Sequence, residues 1–176
     1  LSKISEEHNE GYFNHNVESV RLLMNLENKG YGKNITLQVL DGILCHNGEL
    51  ELQEYRPQKK TKETFLEEYE RTYTEKDFVK TLVPMTLEGC VVRVSDIIAY
   101  LGKDIEDARI LGIIKEEDIP INIRQILGVK NREIVNTIIM DLIHNSFGKP
   151  YLKLSDDVFE AIKELKKFNY VNIYDK

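Results

Sequence analysis

The segment SDIIAYLGKDIEDA, Ser95 to Ala108, spaces Asp96, Tyr100 and Asp104 four residues apart, twice over. On one helix the three side chains stack along a single face at about 6 Å per step. Asp107 lies close to the same line. A carboxylate, a phenolic ring and a second carboxylate in that order offer metal or phosphate chemistry at one end and a ring plus a hydroxyl acceptor at the other. A solvated charged face gives the same pattern, so the row faces either solvent or a site. Asp96 argues for a site, because VVRV and IIA enclose it. A carboxylate in such surroundings is costly unless it is paired, protonated or bound to a metal.

The four histidines, His8, His15, His46 and His144, have no HxH, HExxH or HxxxH spacing. Each reads first as structural. One carboxylate with scattered histidines does not make a metal site, which takes at least three or four protein ligands. His15 stands out by position. It sits just before a helix start in FNHNVESVRLLMNLENKG, four residues ahead of Ser19.

The elements that must hold these residues read as helices. Asn16 can cap a helix from about Val17 to Asn28, with Val17, Val20, Leu23 and Met24 as its apolar stripe and NKGYGKN as its stop. The next segment, ITLQVLDGILCHNG, gives a helix of about three turns, capped by Thr36 or Asn34 and ended by Asn47-Gly48. Residues 49–83 form a charged excursion from the core, with Tyr55, Phe65, Tyr69, Tyr73 and Phe78 anchoring one or two short helices; a flexible arm up to Lys62 fits equally. Thr86, Glu88 and Gly89 suit the start of the helix that carries Asp96. Strand competes over CVVRVSDII because of its β-branched residues. Helix is preferred, since the run continues through Leu101 with no turn signal and its polar residues recur at helical spacing. Small and long amphipathic helices follow in NIRQILG, NREIVNTIIMDLIHNS and LSDDVFEAIKELKKFNY, the last capped by Ser155 or Asp156.

The expected fold is all-α, a single helical domain over residues 1–176. Thirty acidic residues against 24 basic ones, with no long basic run, argue against a nonspecific grip on duplex nucleic acid, and no such partner is expected. Cys45 and Cys90 lie in apolar runs without CxxC or zinc spacing and read as buried thiols. No apolar run approaches the roughly 18 to 20 residues of a membrane span. A soluble, cytoplasmic chain is expected.

Taken together in order, FNHNVESVRLLMNLE, ITLQVLDGILCHNGE, TLEGCVVRVSDIIAYLGKDIEDA and LSDDVFEAIKELKKFNYVNIY resemble the middle of the deoxynucleoside triphosphate triphosphohydrolases of the HD superfamily, dGTPase-like proteins. HN-x-x-S followed by D-x-I-A-Y-x-x-x-D carries the likeness. The resemblance implies an HD-domain-like helical bundle, incomplete at its N-terminal side, and a metal-dependent enzyme. That enzyme would convert a dNTP to a deoxynucleoside and tripolyphosphate, and would often be a homo-oligomer.

By the same resemblance Asp96 is a metal ligand for Mg²⁺, Mn²⁺ or another transition metal. Tyr100 lies against the deoxyribose, Asp104 accepts from the 3′-hydroxyl, and His15 is the catalytic histidine near the phosphates. The family's earlier histidine and His-Asp doublet have no counterpart in these residues. The chain is therefore expected to be an internal piece of a longer enzyme and inactive by itself. Two alternatives remain: another HD-type nucleotide phosphohydrolase, and a non-catalytic nucleotide-binding or assembly module.

Overall fold

The computed structural model describes residues 2–8, 11–47 and 52–174. Among them the fold is all-α apart from one antiparallel pair of two-residue strands, β1 (Glu54–Tyr55) and β2 (Leu152–Lys153). The chain divides into two compact units, Leu1–Glu49 with Arg56–Val94, and Leu50–Tyr55 with Ser95–Lys176.

The first unit contains α1 (Ser2–Glu7), α2 (His15–Arg21), α3 (Leu37–Cys45), α4 (Lys62–Thr74) and the opening turns of α5 (Leu87–Ile110). Its core gathers Val17 and Val20 of α2, Leu40, Leu44 and Cys45 of α3, Phe65 and Tyr69 of α4, and Val79 and Leu82 from the 3₁₀ turn that follows. The charged stretch from Lys62 to Leu82 is thus part of this core. Its aromatics Phe65 and Tyr69 recur one turn apart on the buried face of α4, while Glu63, Glu67 and Glu70 are exposed. Thr61 caps α4 by accepting from the Thr64 N–H.

Two boundaries differ from the sequence reading. α2 begins at His15, with Asn14 at the cap position, because the Asn16 side chain turns inward and donates to the Leu44 carbonyl of α3. α2 then continues through a π-type turn over Leu22–Leu26. The expected Asn47-Gly48 stop of α3 lies partly outside the described residues; α3 itself ends at Cys45, with His46 at its C-cap.

α5 starts where Thr86 predicts, its hydroxyl accepting from the Gly89 N–H. Helix wins over strand because the burial has helical period. Cys90, Val94, Ile98, Leu101, Ile105 and Ala108 are buried, while Val91, Val92 and Tyr100 are exposed. Arg93 is buried within the first unit and donates to the Leu82 and Lys80 carbonyls.

In the second unit, the remainder of α5 is followed by α6 (Ile121–Ile126), α7 (Asn131–Ser146), β2 and α8 (Asp156–Asn169). Ser155 caps α8, its hydroxyl accepting from Val158 N–H. Glu133 anchors the start of α7 by accepting from the Val129 and Lys130 N–H groups at 3.0 and 3.1 Å, which holds its carboxyl below the ordinary range. Gly102 lets α5 pass the head of α7: a Cβ there would lie 2.4 Å from Asn131 Oδ1 and 3.1 Å from its Cα.

Candidate functional site

Asp96, Tyr100 and Asp104 fall in the second unit on one face of α5, as the four-residue spacing requires. Asp96 and Asp104 are half-buried, and Tyr100 is 64% exposed. The row is neither a buried core stripe nor a wholly solvated face. Asp104 Oδ2 accepts a hydrogen bond from the Tyr174 hydroxyl at 2.6 Å. That bond, with partial burial, pushes the Tyr174 phenol up to about 12. Tyr174 escaped the sequence reading because 70 residues separate it from Asp104, and no spacing rule joins them.

His15 lies in the first unit, exposed at the first position of α2. Its Nε2 is 3.2 Å from Nε2 of His46, with the rings edge to face. His46 is half-buried, and its Nδ1 is 2.6 Å from the Ile43 carbonyl oxygen. Asn16 fastens the same junction twice, donating to Leu44 O and accepting from Asn47 Nδ2 at 3.4 Å. Ser19 closes the HN-x-x-S motif by donating to the His15 carbonyl at 2.8 Å. The sequence presents His15 and His46 as unrelated, because a contact between two helices leaves no periodic trace. Beside them, Val39, Gly42, Ile43, His46, Gly89 and Val92 line an open, mostly apolar cavity of about 590 Å³, within the size range of small-molecule pockets.

A third cluster of the first unit is also absent from the sequence reading. Lys60 Nζ donates to Asp41 Oδ1 at 2.8 Å and Glu68 Oε2 at 2.6 Å, with Cys45 Sγ 3.6 Å away. Asp41 Oδ2 accepts from the Met85 N–H at 2.6 Å. The Lys60 and Asp41 side chains are 2% and 1% exposed. Burial alone would disfavour the ammonium, but neighbouring Cys45 and the hydrogen bonds to Asp41 and Glu68 outweigh it and raise the Lys60 pKa. Burial, reinforced by the Asp41 charge, pushes the Cys45 thiol up to about 12, so it is inert as a nucleophile near neutrality. Lys60 Nζ, both Asp41 carboxylate oxygens, Glu68 Oε2 and Cys45 Sγ all have partners within this cluster or its flanking backbone. Its role is to fasten α3, α4 and the approach to α5.

Among the described residues, no three His, Cys, Asp or Glu side chains gather as a divalent ion would require. Asp96 can supply one carboxylate to such an ion, but the described residues alone do not make a metal centre. No helix among the described residues is long and apolar enough to cross a membrane.

The chain is similar along almost its whole length to proteins called deoxyguanosinetriphosphate triphosphohydrolase-like. One from Clostridium perfringens (strain SM101 / Type A) is 37% identical over 169 residues, which is 93% of this chain and 41% of the relative. One from Caldanaerobacter subterraneus is 34% identical over 164 residues, covering 93% and 39% of the two chains. A more distant one from Neorickettsia sennetsu is 26% identical over 212 residues, covering 99% and 51%. The likeness read from the four quoted segments is therefore shown by direct comparison. The chain spans about two fifths of the length of the first of these relatives. No family model matches the chain, and no solved structure matches it significantly.

Proposed function

We propose that this chain forms part of a metal-dependent deoxynucleoside triphosphate triphosphohydrolase, which would cut between the α-phosphate and the 5′ oxygen and release deoxynucleoside and tripolyphosphate. The likeness over 93% of the chain to proteins named for that chemistry carries the reading. The row on α5 supports it. Tyr100 presents an exposed ring to a deoxyribose, where it would crowd out a 2′-hydroxyl. Asp104, one turn on, has further lone pairs for the 3′-hydroxyl while Tyr174 holds its Oδ2.

Asp96 would give one oxygen to a divalent ion such as Mg²⁺ or Mn²⁺, the Lewis acid of the reaction. The other ligands would come from parts of the relatives that this chain does not span. The 176 residues are accordingly expected to be inactive by themselves. A homo-oligomer in the cytoplasm belongs to the same proposal.

The test is product analysis of the full gene product with each dNTP and Mn²⁺. Tripolyphosphate release supports the proposal, whereas orthophosphate or pyrophosphate would move it to another class of nucleotide phosphohydrolase. Micromolar dNTP binding with no turnover by the full product would point to a non-catalytic module. Asp96→Ala should abolish metal-dependent turnover, and an unchanged rate at saturating metal would remove Asp96 from the site.

A further inference from the structure

We infer that His46 is a positioning residue for His15: it fixes the His15 tautomer and leaves Nδ1, not Nε2, as the nitrogen that exchanges a proton with the substrate. The catalytic part of this inference rests on the proposed triphosphohydrolase reading; the pairing itself does not.

A backbone carbonyl can only accept a hydrogen bond. The Ile43 carbonyl lies 2.6 Å from His46 Nδ1, so Nδ1 must carry the hydrogen and donate. A neutral imidazole holds one N–H, which leaves His46 Nε2 as a bare acceptor. His15 Nε2, 3.2 Å away, must then carry its own hydrogen and point it at His46. Neutral His15 is left with a bare Nδ1. No hydrogen bond to Nδ1 is present among the described residues, and the side chain is exposed.

The bare Nδ1 of exposed His15 takes a proton from solvent. As Nδ1–H it can bond a phosphoryl oxygen and pass the proton to the leaving 5′ oxygen, returning to the bare form while Nε2–H stays bound to His46. With Nε2–H committed to His46, Nδ1 is the only nitrogen of His15 able to exchange a proton with the substrate. The assembly is held on the His46 side by the backbone of α3. On the His15 side Asn16 bonds to Leu44 and Asn47, which flank His46 at two positions and one position. Behind metal-binding histidines, a second residue that fixes ring orientation and tautomer is worth about 10- to 100-fold in affinity or activity, and the same order is expected for His46 behind His15.

The experiment has two arms. In the first, long-range ¹H–¹⁵N correlation spectra of the ¹⁵N-histidine-labelled 176-residue chain are recorded near neutral pH. His46 should show the Nδ1–H form, the minority form of a free imidazole, and His15 the Nε2–H form. His46→Ala should shift the His15 ring nitrogens, and His46→Gln, whose amide oxygen can accept from Nε2–H, should restore them. An Nε2–H form at His46, or His15 signals unmoved by His46→Ala, overturns the inference.

The second arm measures turnover of the full gene product. His46→Ala should lower kcat by roughly 10- to 100-fold with little change in KM, and His46→Gln should recover most of it. Equal kcat for His46→Ala and the parent overturns the positioning role. A parent that shows the expected tautomers but yields no tripolyphosphate refutes the proposed function, and with it the catalytic part alone, leaving the pairing established.

Discussion

Removing the Lys60 ammonium should be among the most damaging single changes in the first unit. Lys60→Met retains much of the aliphatic length but leaves Asp41, with its side chain 1% exposed, facing only the Met85 N–H and the weakly donating Cys45 thiol. Glu68 is 20% exposed and can turn to water; Asp41 cannot. Breaking a buried ion pair from one side costs about 3 to 5 kcal/mol, because the surviving charge remains desolvated. The lower end applies here, since Asp41 keeps one backbone donor. The expected loss is therefore about 3 kcal/mol, roughly 150-fold in the unfolding constant.

Asp41→Asn in the Lys60→Met background removes the stranded charge and should return a large part of that loss, giving a coupling energy of about 2 kcal/mol. Far-UV circular dichroism during urea unfolding reads both quantities. A Lys60→Met loss below about 1 kcal/mol, or a double variant whose loss is the sum of the two singles, would refute the claim that Asp41 depends on Lys60. The pH dependence adds a second check. The folded Lys60 pKa is raised above its ordinary 10.5, so its stabilisation is complete below that value and fades as pH climbs through the folded value. The gap between parent and Lys60→Met should stay constant from pH 7 to 9 and narrow only in stronger alkali.

Burial first of all pushes the Cys45 and Cys90 thiols up to about 12 and 11, so a disulfide reagent at pH 8 should label neither quickly in the folded chain and both after denaturation; rapid native labelling would contradict their burial. Glu133 has a lowered pKa, so its contribution is present above the ordinary carboxylate value and is lost as pH falls through the folded one. Thermal melts from pH 7 to 3 should show a smaller acid-induced decline for Glu133→Gln than for the parent. Gly102→Ala should cost about 1 to 2 kcal/mol in chemical denaturation, because Asn131, its Oδ1 above all, must retreat from the new methyl at a cost that exceeds the gain in helix propensity; a neutral result would mean that α7 can shift freely along α5.

What could be read in advance was whatever repeats along one element. The 3.6-residue rhythm of α5 marked it as a helix despite its valines, and the same rhythm aligned Asp96, Tyr100 and Asp104 on one face. Ser155 was legible as a cap because capping is a short-range bond. Pairings between elements left no such mark. His46 meets His15 across 31 residues and Tyr174 meets Asp104 across 70. Lys60 sits in the charged run RPQKKTK, whose composition reads as solvated surface, yet its side chain is 2% exposed. Asn16 shows the local rule yielding to the tertiary one: a good capping residue was drawn inward by the Leu44 carbonyl, and Asn14 took the cap position.

The β1–β2 pair joins Glu54 to Lys153 and Tyr55 to Leu152, with Gln53 also bonded to Leu154 and Asp156. Although β1 is embedded among segments of the first unit, its partner is made nearly a hundred residues later. A growing chain therefore has all of the first unit's segments once residue 94 is synthesised, yet must carry an unsatisfied strand until residue 153 emerges. Contacts of such long sequence separation are slow to form, since loop closure precedes any gain from pairing. Refolding should thus be biphasic, with the first unit ordered early and the second delayed until its two distant strands meet.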